Sequence, residues 1–300
     1  MISFIMMAKN VEPFIGEAIK ELQKEKQVPW ELIIVEDHSD DQTFHVAETY
    51  AAQDSRIILK KNPYQGKVLG TNYGFSLSSG EIIKCIDSDD VLMQSFFKEY
   101  ESLMQHDAHC HSAYIVDEKL DKLGIYNVNT ELLHAPYSTV IGNLISLPKW
   151  SWSFKRNMAE KIFPMPENLP FEDVWMSILI KKNATSFYNM HEPYYLYRQH
   201  GNQTFGGILN YTYDRVKFRA NRLITLINII RSEQAYLIKE FDDPFTDTYE
   251  YLQLQVNKAG IISILQSKQA WKQKVKLTLI LHFPGVAILA TKVKWHLDKK

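Results

Sequence analysis

The sequence predicts an α/β fold with a mostly parallel sheet flanked by helices, followed by a helical C-terminal extension. Three observations carry this. Short apolar, β-branched runs alternate with stretches of helical period from Ile2 to Ile86, an order that builds right-handed βαβ units. Several runs are apolar at successive positions, as strands covered on both faces are. With 45% hydrophobic and 23% charged residues, 300 positions supply core for one large or two modest domains.

The first strand reads Ile2-Ser3-Phe4-Ile5-Met6-Met7. No basic region precedes it, so a secretory signal is not expected. Val11 to Lys26 places Phe14, Ile15, Ala18, Ile19 and Leu22 at helical spacing, and Pro29 breaks the pattern. Glu31 to Asp37 is a buried strand ending in acids, and a helix is expected from Asp40-Asp41 to about Ala52. Arg56 to Lys60 forms a third strand, and Asn62 to Gly66 a loop. The next helix carries Lys67, Asn72 and Gly74 to Ser79-Gly80, where glycine can serve as a C-cap. Glu81 to Ile86 is then a fourth buried strand.

Ala113 to Val116 reads as a strand, and Asp121 to Gly124 as a turn into Ile125 to Val128. Trp150 to Phe154 is a strand or a loop. Pro164, Pro166 and Pro170 punctuate a loop before a helix from Phe171 to about Lys182. Ser186 to Tyr188 and Tyr194 to Tyr197 read as two short strands, and Gly201 to Gly207 as a polar loop. From Tyr211 the period is helical, with Val216, Leu223, Leu226, Ile227 and Ile230 in one segment and Tyr249 to Leu265 in another. A boundary near Gly206-Gly207 divides a sheet domain, 1–207, from a helical region, 208–300.

The net charge of −1 gives no electrostatic footprint for nucleic acid. Two cysteines cannot make a disulfide framework, so Cys85 and Cys110 are expected as buried thiols in a reducing compartment. The charge is unevenly placed. Between Lys268 and Lys300 eight lysines stand against Asp298 alone, a local +7 that leaves −8 for the rest. Within this tail Leu277 to Thr291 is apolar apart from Thr278 and His282, and Lys276 and Lys292 bracket it. Its 15 residues, broken by Pro284-Gly285, fall short of the ~20 that span a bilayer. A basic, amphipathic stretch of this kind suits the plane of an anionic membrane surface, giving peripheral contact through 268–300. A helical hairpin packed on the preceding domain is the other reading.

Asp87-Ser88-Asp89-Asp90 closes the fourth strand. Three carboxylates in four positions repel one another unless a cation neutralises them, and hard oxygen ligands suit Mg²⁺ or Mn²⁺. The carboxyl end of a parallel strand is also where open α/β sheets bind ligands. In the alternative reading Asp90 or Ser88 caps a helix beginning near Val91.

Taken in order, these pieces resemble family 2 glycosyltransferases of the GT-A nucleotide-diphospho-sugar transferase fold. The resemblance covers roughly the first 200 residues and rests on ordered motifs. Ser3 to Asn10 is like the family's first strand and nucleotide-binding turn, which includes Ala8 and Asn10. Leu32 to Thr43 is similar to its Val-Asp-Asp-Gly-Ser-x-Asp-x-Thr. Gly66-Lys67, Asn72, Gly74 and Gly80 lead into Asp87-Ser88-Asp89-Asp90. Glu172-Asp173 matches the family's acidic pair, and Tyr197-Arg198-Gln199-His200 a late motif near the metal. Two departures stand out. Glu36 and His38 replace the usual Asp and Gly, with little consequence expected because Asp37 is kept. Thr71 stands where many relatives carry an arginine near the diphosphate, and Lys67 could supply the charge. The Gln-X-X-Arg-Trp of processive relatives is absent, which favours one sugar per encounter.

The resemblance implies an inverting transfer from a UDP-sugar to a glycan or lipid-linked acceptor, of the kind used in bacterial surface polysaccharide synthesis, on the cytoplasmic side and peripheral to the membrane's inner face. Asp89 would ligate Mn²⁺ or Mg²⁺, with His200 a further ligand. Asp87, Ser88, Arg198 and Lys67 would hold the ribose and diphosphate, and Ala8, Asn10 and Asp37 the nucleoside. Asp37 could accept the imide N–H of uracil. Asp173 would be the general base, its anion favoured by the helix N-terminus. Glu172, Trp150 and Trp152 are weaker candidates for the acceptor side; tryptophans stack on sugars but fill cores equally well. A sugar-1-phosphate nucleotidyltransferase would need a Gly-rich basic first loop, which Ala8-Lys9-Asn10-Val11 does not supply. A non-catalytic nucleotide-sugar-binding protein of the same fold is the remaining alternative.

Overall fold

A computed structural model describes residues 1–200 and 212–297. The strands and helices of the first ninety residues come in the expected order: β1 (Ile2–Ala8), α1 (Glu12–Gln23), β2 (Trp30–Glu36), α2 (Thr43–Ala51), β3 (Ile57–Lys61), α3 (Lys67–Leu77) and β4 (Ile82–Asp87). β1 pairs in parallel with β2 and β4, and β2 with β3. Every residue of β2 is buried, consistent with helices covering both faces of this part of the sheet. Ile15, Ala18, Ile19 and Leu22 form the buried face of α1.

After β4 come β5 (Val91–Leu92), α4 (Tyr100–Gln105), β6 (Ala108–Val116), β7 (Lys122–Tyr126), α5 (Glu131–His134), α6 (Tyr137–Gly142), β8 (Trp152–Lys155), α7 (Arg156–Ile162), α8 (Glu172–Asn183) and β9 (Phe187–Arg198). The strand order is β3-β2-β1-β4-β8-β6-β9-β5, with β7 on β6. The long ladder between β6 and β9 is parallel, whereas the shorter ones, β4 with β8, β6 with β8, β6 with β7 and β5 with β9, are antiparallel.

Several expectations change, the turn read at Asp121 to Gly124 among them, since Lys122 to Gly124 belong to β7. No helix begins at Val91; Val91 and Leu92 pair with Leu196 and Tyr195 instead, and a 3₁₀ turn from Gln94 follows. The two short strands after Ser186 are one strand, β9. Its ladder to β6 runs from Cys110 opposite Asn189 to Ser112 opposite Pro193, so a bulge takes up the extra residues beside a proline that cannot donate to the ladder. Gly80 is not a C-cap, because α3 ends at Leu77. A Cβ on Gly80 would lie 2.6 Å from Ser3 Oγ and 2.8 Å from the Met1 carbonyl, so the missing side chain lets the chain pass against β1.

The chain divides into two units. The first comprises Met1–Ala135, Ser146–Asn168 and Glu172–His200 and contains the whole sheet. Its core runs from Phe4, Met6 and Ile34 through Phe96 to Trp150 and Tyr195. Cys85 and Cys110 are buried free thiols in it.

The second unit takes in Pro136–Ile145, Leu169–Phe171 and the residues after 200. Its described part holds α6, α9 (Tyr213–Glu233), α10 (Thr246–Val256), α11 (Ile261–Gln266), α12 (Trp271–His282) and α13 (Pro284–Leu297). Thr248 donates to the Gly142 carbonyl at 2.7 Å, and Tyr137 to that of Leu237 at 3.1 Å. Ile264, Leu277 and Leu281 form a small core with Tyr213, Val216 and Tyr251 packed on it. Tyr249 to Leu265 is two helices, separated by Lys258 at a left-handed φ of 46°. The boundary expected near Gly206-Gly207 lies outside the described residues.

Candidate active site

The candidate residues of the first unit form three neighbouring groups. In the first, Asp37 follows β2 and is buried; its amide N–H donates to the Ala8 carbonyl at 2.9 Å. Asn62 Nδ2 and the Gly66 amide donate to Asp37 Oδ1 at 2.6 and 3.1 Å, and Lys9 Nζ stands 3.7 Å from Oδ2. Asn10 is exposed at φ 52°; its Oδ1 accepts the Asp40 amide at 2.8 Å and its amide donates to Ser39 Oγ at 3.0 Å. His38 also lies in the left-handed region, at φ 55°, which explains why a glycine suits that position. Its Nε2 lies 2.9 Å from the Tyr64 carbonyl, tying the two loops together.

The second group surrounds Asp87 at the end of β4. Its amide donates to Tyr195 Oη at 2.9 Å. Lys67, opening α3 after Gly66 at φ 94°, brings Nζ to 3.5 Å from Asp87 Oδ1. Lys149 Nζ lies 4.0 Å from the same oxygen and 3.0 Å from Glu172 Oε2. The backbone amide of Lys149 donates to Asp173 Oδ1 at 2.8 Å. One residue thus neutralises one acid through its side chain and holds the next through its main chain.

Electrostatics follow from this crowding. Burial pushes the Asp87 and Glu172 carboxyls up, but the Lys67 and Lys149 ammoniums outweigh it and hold both below the usual range. Lys67 is raised, chiefly by Asp87. Asp173 differs. It is open to solvent, yet so much protein surrounds it that desolvation lifts its carboxyl above the ordinary range despite Lys67 and Lys149.

The third group is Asp89, Asp90, Arg198 and His200. His200 Nε2 lies 2.9 Å from Asp89 Oδ2, the aspartate partly exposed and the imidazole nearly buried, and its ring packs against Phe14 at 4.8 Å between centroids. Asp90 is buried, and its Oδ1 accepts the Arg198 amide at 2.7 Å. Burial, with Asp89 and Asp87 nearby, pushes the Asp90 carboxyl well up. Ser88 is buried.

Several expected residues have other work. Arg198 is 2% exposed. Its guanidinium donates to the Asp89 carbonyl at 2.8 Å, the Glu118 carbonyl at 2.7 Å and Glu17 at 2.6 Å, so it braces the aspartate turn from behind instead of reaching a phosphate. Trp152 is fully buried and donates to Ser177 at 3.3 Å. Trp150 is 4% exposed, stacked on Tyr195 at 5.1 Å and Tyr197 at 5.7 Å. Neither tryptophan offers a face to a sugar. Glu172 is buried against Lys149 and also accepts from Thr71 Oγ1 at 3.4 Å, so it too is turned inward.

Next to Trp150 an aromatic that does reach the surface is Tyr126 of β7, 37% exposed and set edge-on to it at 5.5 Å. Lys149 and Tyr126 were not among the residues expected from the sequence. A lone lysine inside the apolar run Leu147-Pro148-Lys149-Trp150 was the available signal for the first. Behind the site Lys84 of β4 is fully buried, donating to the Trp150 carbonyl at 2.6 Å and lying 2.7 Å from His111 Nε2. Burial pulls Lys84 down to about 7 and His111 well below its ordinary value.

A sheet whose parallel strands end in acids, with an aspartate turn facing a second acidic pair, defines a nucleotide-sugar transferase architecture of the GT-A type. Residues 3–182 match the family described as Glycosyl transferase family 2, and the chain belongs to it. Among relatives, EpsJ of Bacillus subtilis, an uncharacterized glycosyltransferase, is 33% identical over 98 residues, 33% of this chain and 28% of EpsJ. WfgD of Escherichia coli, a UDP-Glc:alpha-D-GlcNAc-diphosphoundecaprenol beta-1,3-glucosyltransferase, is 34% identical over 106 residues, 35% of this chain and 41% of WfgD. Each match thus spans less than half of the relative's own length. Among solved structures, S. aureus TarS 1-349 in complex with UDP-GlcNAc has a TM-score of 0.58 at 17% identity, over 96% of this chain and 88% of that one. The mannosyltransferase PcManGT of Pyrobaculum calidifontis, in complex with GDP-Man and Mn²⁺, has 0.55 at 16%, over 100% and 88%.

Proposed function

We propose that this chain is a metal-dependent, inverting glycosyltransferase that moves one sugar from a UDP-sugar to a glycan or lipid-linked acceptor in bacterial surface polysaccharide synthesis. The observation that carries this is the meeting of Asp89 and His200, 2.9 Å apart, on the turn that also presents Asp87 to Lys67. The carboxylate of that pair is a hard oxygen ligand of the kind that suits Mn²⁺ or Mg²⁺, with the imidazole a nitrogen donor beside it. No cluster of three or more His, Cys, Asp or Glu able to hold a metal occurs among the described residues, so phosphate and water oxygens would complete the shell. A bound divalent cation would offset the charge of the diphosphate leaving group.

The remaining work falls to the chain's own groups. Asp37 Oδ1 already accepts two N–H groups, which leaves Oδ2 for the imide N–H of uracil. The Lys67 ammonium, on the exposed N-terminus of α3, is placed to meet the diphosphate. Asp173 takes the proton of the acceptor hydroxyl while that oxygen bonds to the anomeric carbon and the bond from that carbon to the UDP oxygen breaks. Its raised carboxyl makes it a stronger base than an ordinary aspartate. A UDP donor is supported by TarS, solved with UDP-GlcNAc, and a lipid-linked acceptor by WfgD, named for a diphosphoundecaprenol substrate. PcManGT, holding Mn²⁺, supports the cation. Attachment at the inner face of the cell membrane would bring such an acceptor within reach.

Calorimetry with UDP, with and without MnCl₂, followed by nucleotide release from a panel of UDP- and GDP-sugars, tests this reading. Metal-enhanced UDP binding with turnover of one sugar nucleotide is the expected result. Binding unaffected by metal, or release from GDP- but not UDP-sugars, would overturn it.

A further inference from the structure

The second unit carries an apolar groove between α11 and α12. Ile261 and Leu265 of α11 line it opposite Trp271 and Val275 of α12, with Phe283 beyond. These are large apolar groups in water: Trp271 is 69% exposed, and Ile262, next to the groove, 72%. The opposite side of the same helices is already occupied, since Leu277 and Leu281 pack on Ile264 as the unit's core. The groove is therefore a second, outward apolar face.

Its charge is one-sided. From Tyr251 to Leu297 the sequence has seven lysines and neither aspartate nor glutamate. Lys268 is exposed on the connection between the two helices, and Lys272 and Lys276 on α12. Lysine stems can lie along apolar surface while their ammoniums reach outward.

We propose that this face seats on an anionic phospholipid surface, with Trp271, Ile262 and Phe283 at headgroup depth and Lys268, Lys272 and Lys276 on the lipid phosphates. Charge complementarity selects this occupant. A second copy of the chain, docked face to face, would set the lysines of one copy against those of the other, while Glu250, the acid bonded to this connection, is already taken up by the Lys268 amide and Gln269. No helix of the described residues is long and apolar enough to cross a membrane, so the contact is interfacial, where tryptophan and a basic apolar face are favoured. The proposal stands on this surface alone and does not depend on the sugar chemistry.

The test is co-sedimentation of the full-length protein with vesicles of phosphatidylcholine alone and of phosphatidylcholine with phosphatidylglycerol, at low and high salt. Binding should require the anionic lipid and fade with salt. Lys272→Glu with Lys276→Glu should lower the partition coefficient by about tenfold or more. Trp271→Ser should lower it too, with melting temperature and UDP affinity unchanged for all variants. Failure to pellet with anionic vesicles at low salt, or equal pelleting with neutral ones, would overturn the proposal. So would a wild-type dimer that Trp271→Ser converts to monomer, which would assign the groove to a second copy.

Discussion

His200 Nε2 lies 2.9 Å from Asp89 Oδ2, although 111 residues separate them in sequence. β5 and β9 make this contact, because pairing Val91 with Leu196 brings the residues that flank the pair alongside one another. Asp89→Ala should abolish metal-enhanced UDP binding with little loss of stability, since its side chain is partly exposed, and His200→Ala should weaken that binding strongly. Titrating Mn²⁺ at fixed UDP by calorimetry checks this, and wild-type affinity in Asp89→Ala would remove the assignment.

Asp173→Asn keeps the size of the side chain and removes its basicity. Turnover should fall by the ~10²–10⁴ of a lost general base, with UDP affinity nearly unchanged. In the wild type the carboxyl is raised, so kcat should decline with acidity at a higher pH than the ~3.9 of an ordinary aspartate. An Asn variant that turns over normally would leave Asp173 without the role.

Lys149 is buried between carboxylates, and Lys149→Met would leave Glu172 charged and without its partner. Breaking a buried pair from one side costs about 3–5 kcal/mol, readable in urea denaturation at neutral pH. Adding Glu172→Gln removes the stranded charge and should restore much of the loss. Losing the ammonium should also move the acid limb of the kcat profile to higher pH, because Lys149 helps hold Asp173 down. If the double variant is no more stable than the single, the pairing is not what Lys149 contributes.

Lys84 makes a prediction about stability alone. The unfolded chain keeps this proton up to about pH 10, whereas the folded chain releases it near 7. Between these values the unfolded state binds more protons. Stability should therefore rise with pH across that window, by up to ~1.4 kcal/mol per pH unit from this group. Subtracting the profile of Lys84→Met from that of the wild type isolates the contribution, and parallel profiles would contradict it.

Much of this was legible in the sequence, and the parts that were not have physical reasons. β1, β2 and β4 announce themselves because strands buried on both faces are apolar at most successive positions. The aspartate turn and the acidic pair at Glu172-Asp173 were readable as an ordered set of motifs, and the structure brings the two together through Lys149. That lysine escaped notice because its partners come from two distant segments and no local pattern encodes them. The inward turn of Trp150 and Trp152 could not be read either, since a tryptophan that fills a core and one that stacks on a sugar look alike in sequence. β9 looks like two short strands in sequence, and it is the bulge against β6 beside Pro193 that lets one strand continue.

β9 has one more consequence. The family match stops at residue 182, before this strand begins. A protein trimmed to that match would keep Asp37, Asp87, Asp89 and Asp173 but lose the partner of β5, the parallel neighbour of β6, the Arg198 brace and His200. The last strand works as a keystone, laid after the recognisable stretch is complete and closing the turn on which the acids stand. In a nascent chain the aspartates would therefore leave the ribosome well before the strand that locks them, and the site would become competent only once its closing residue had been made.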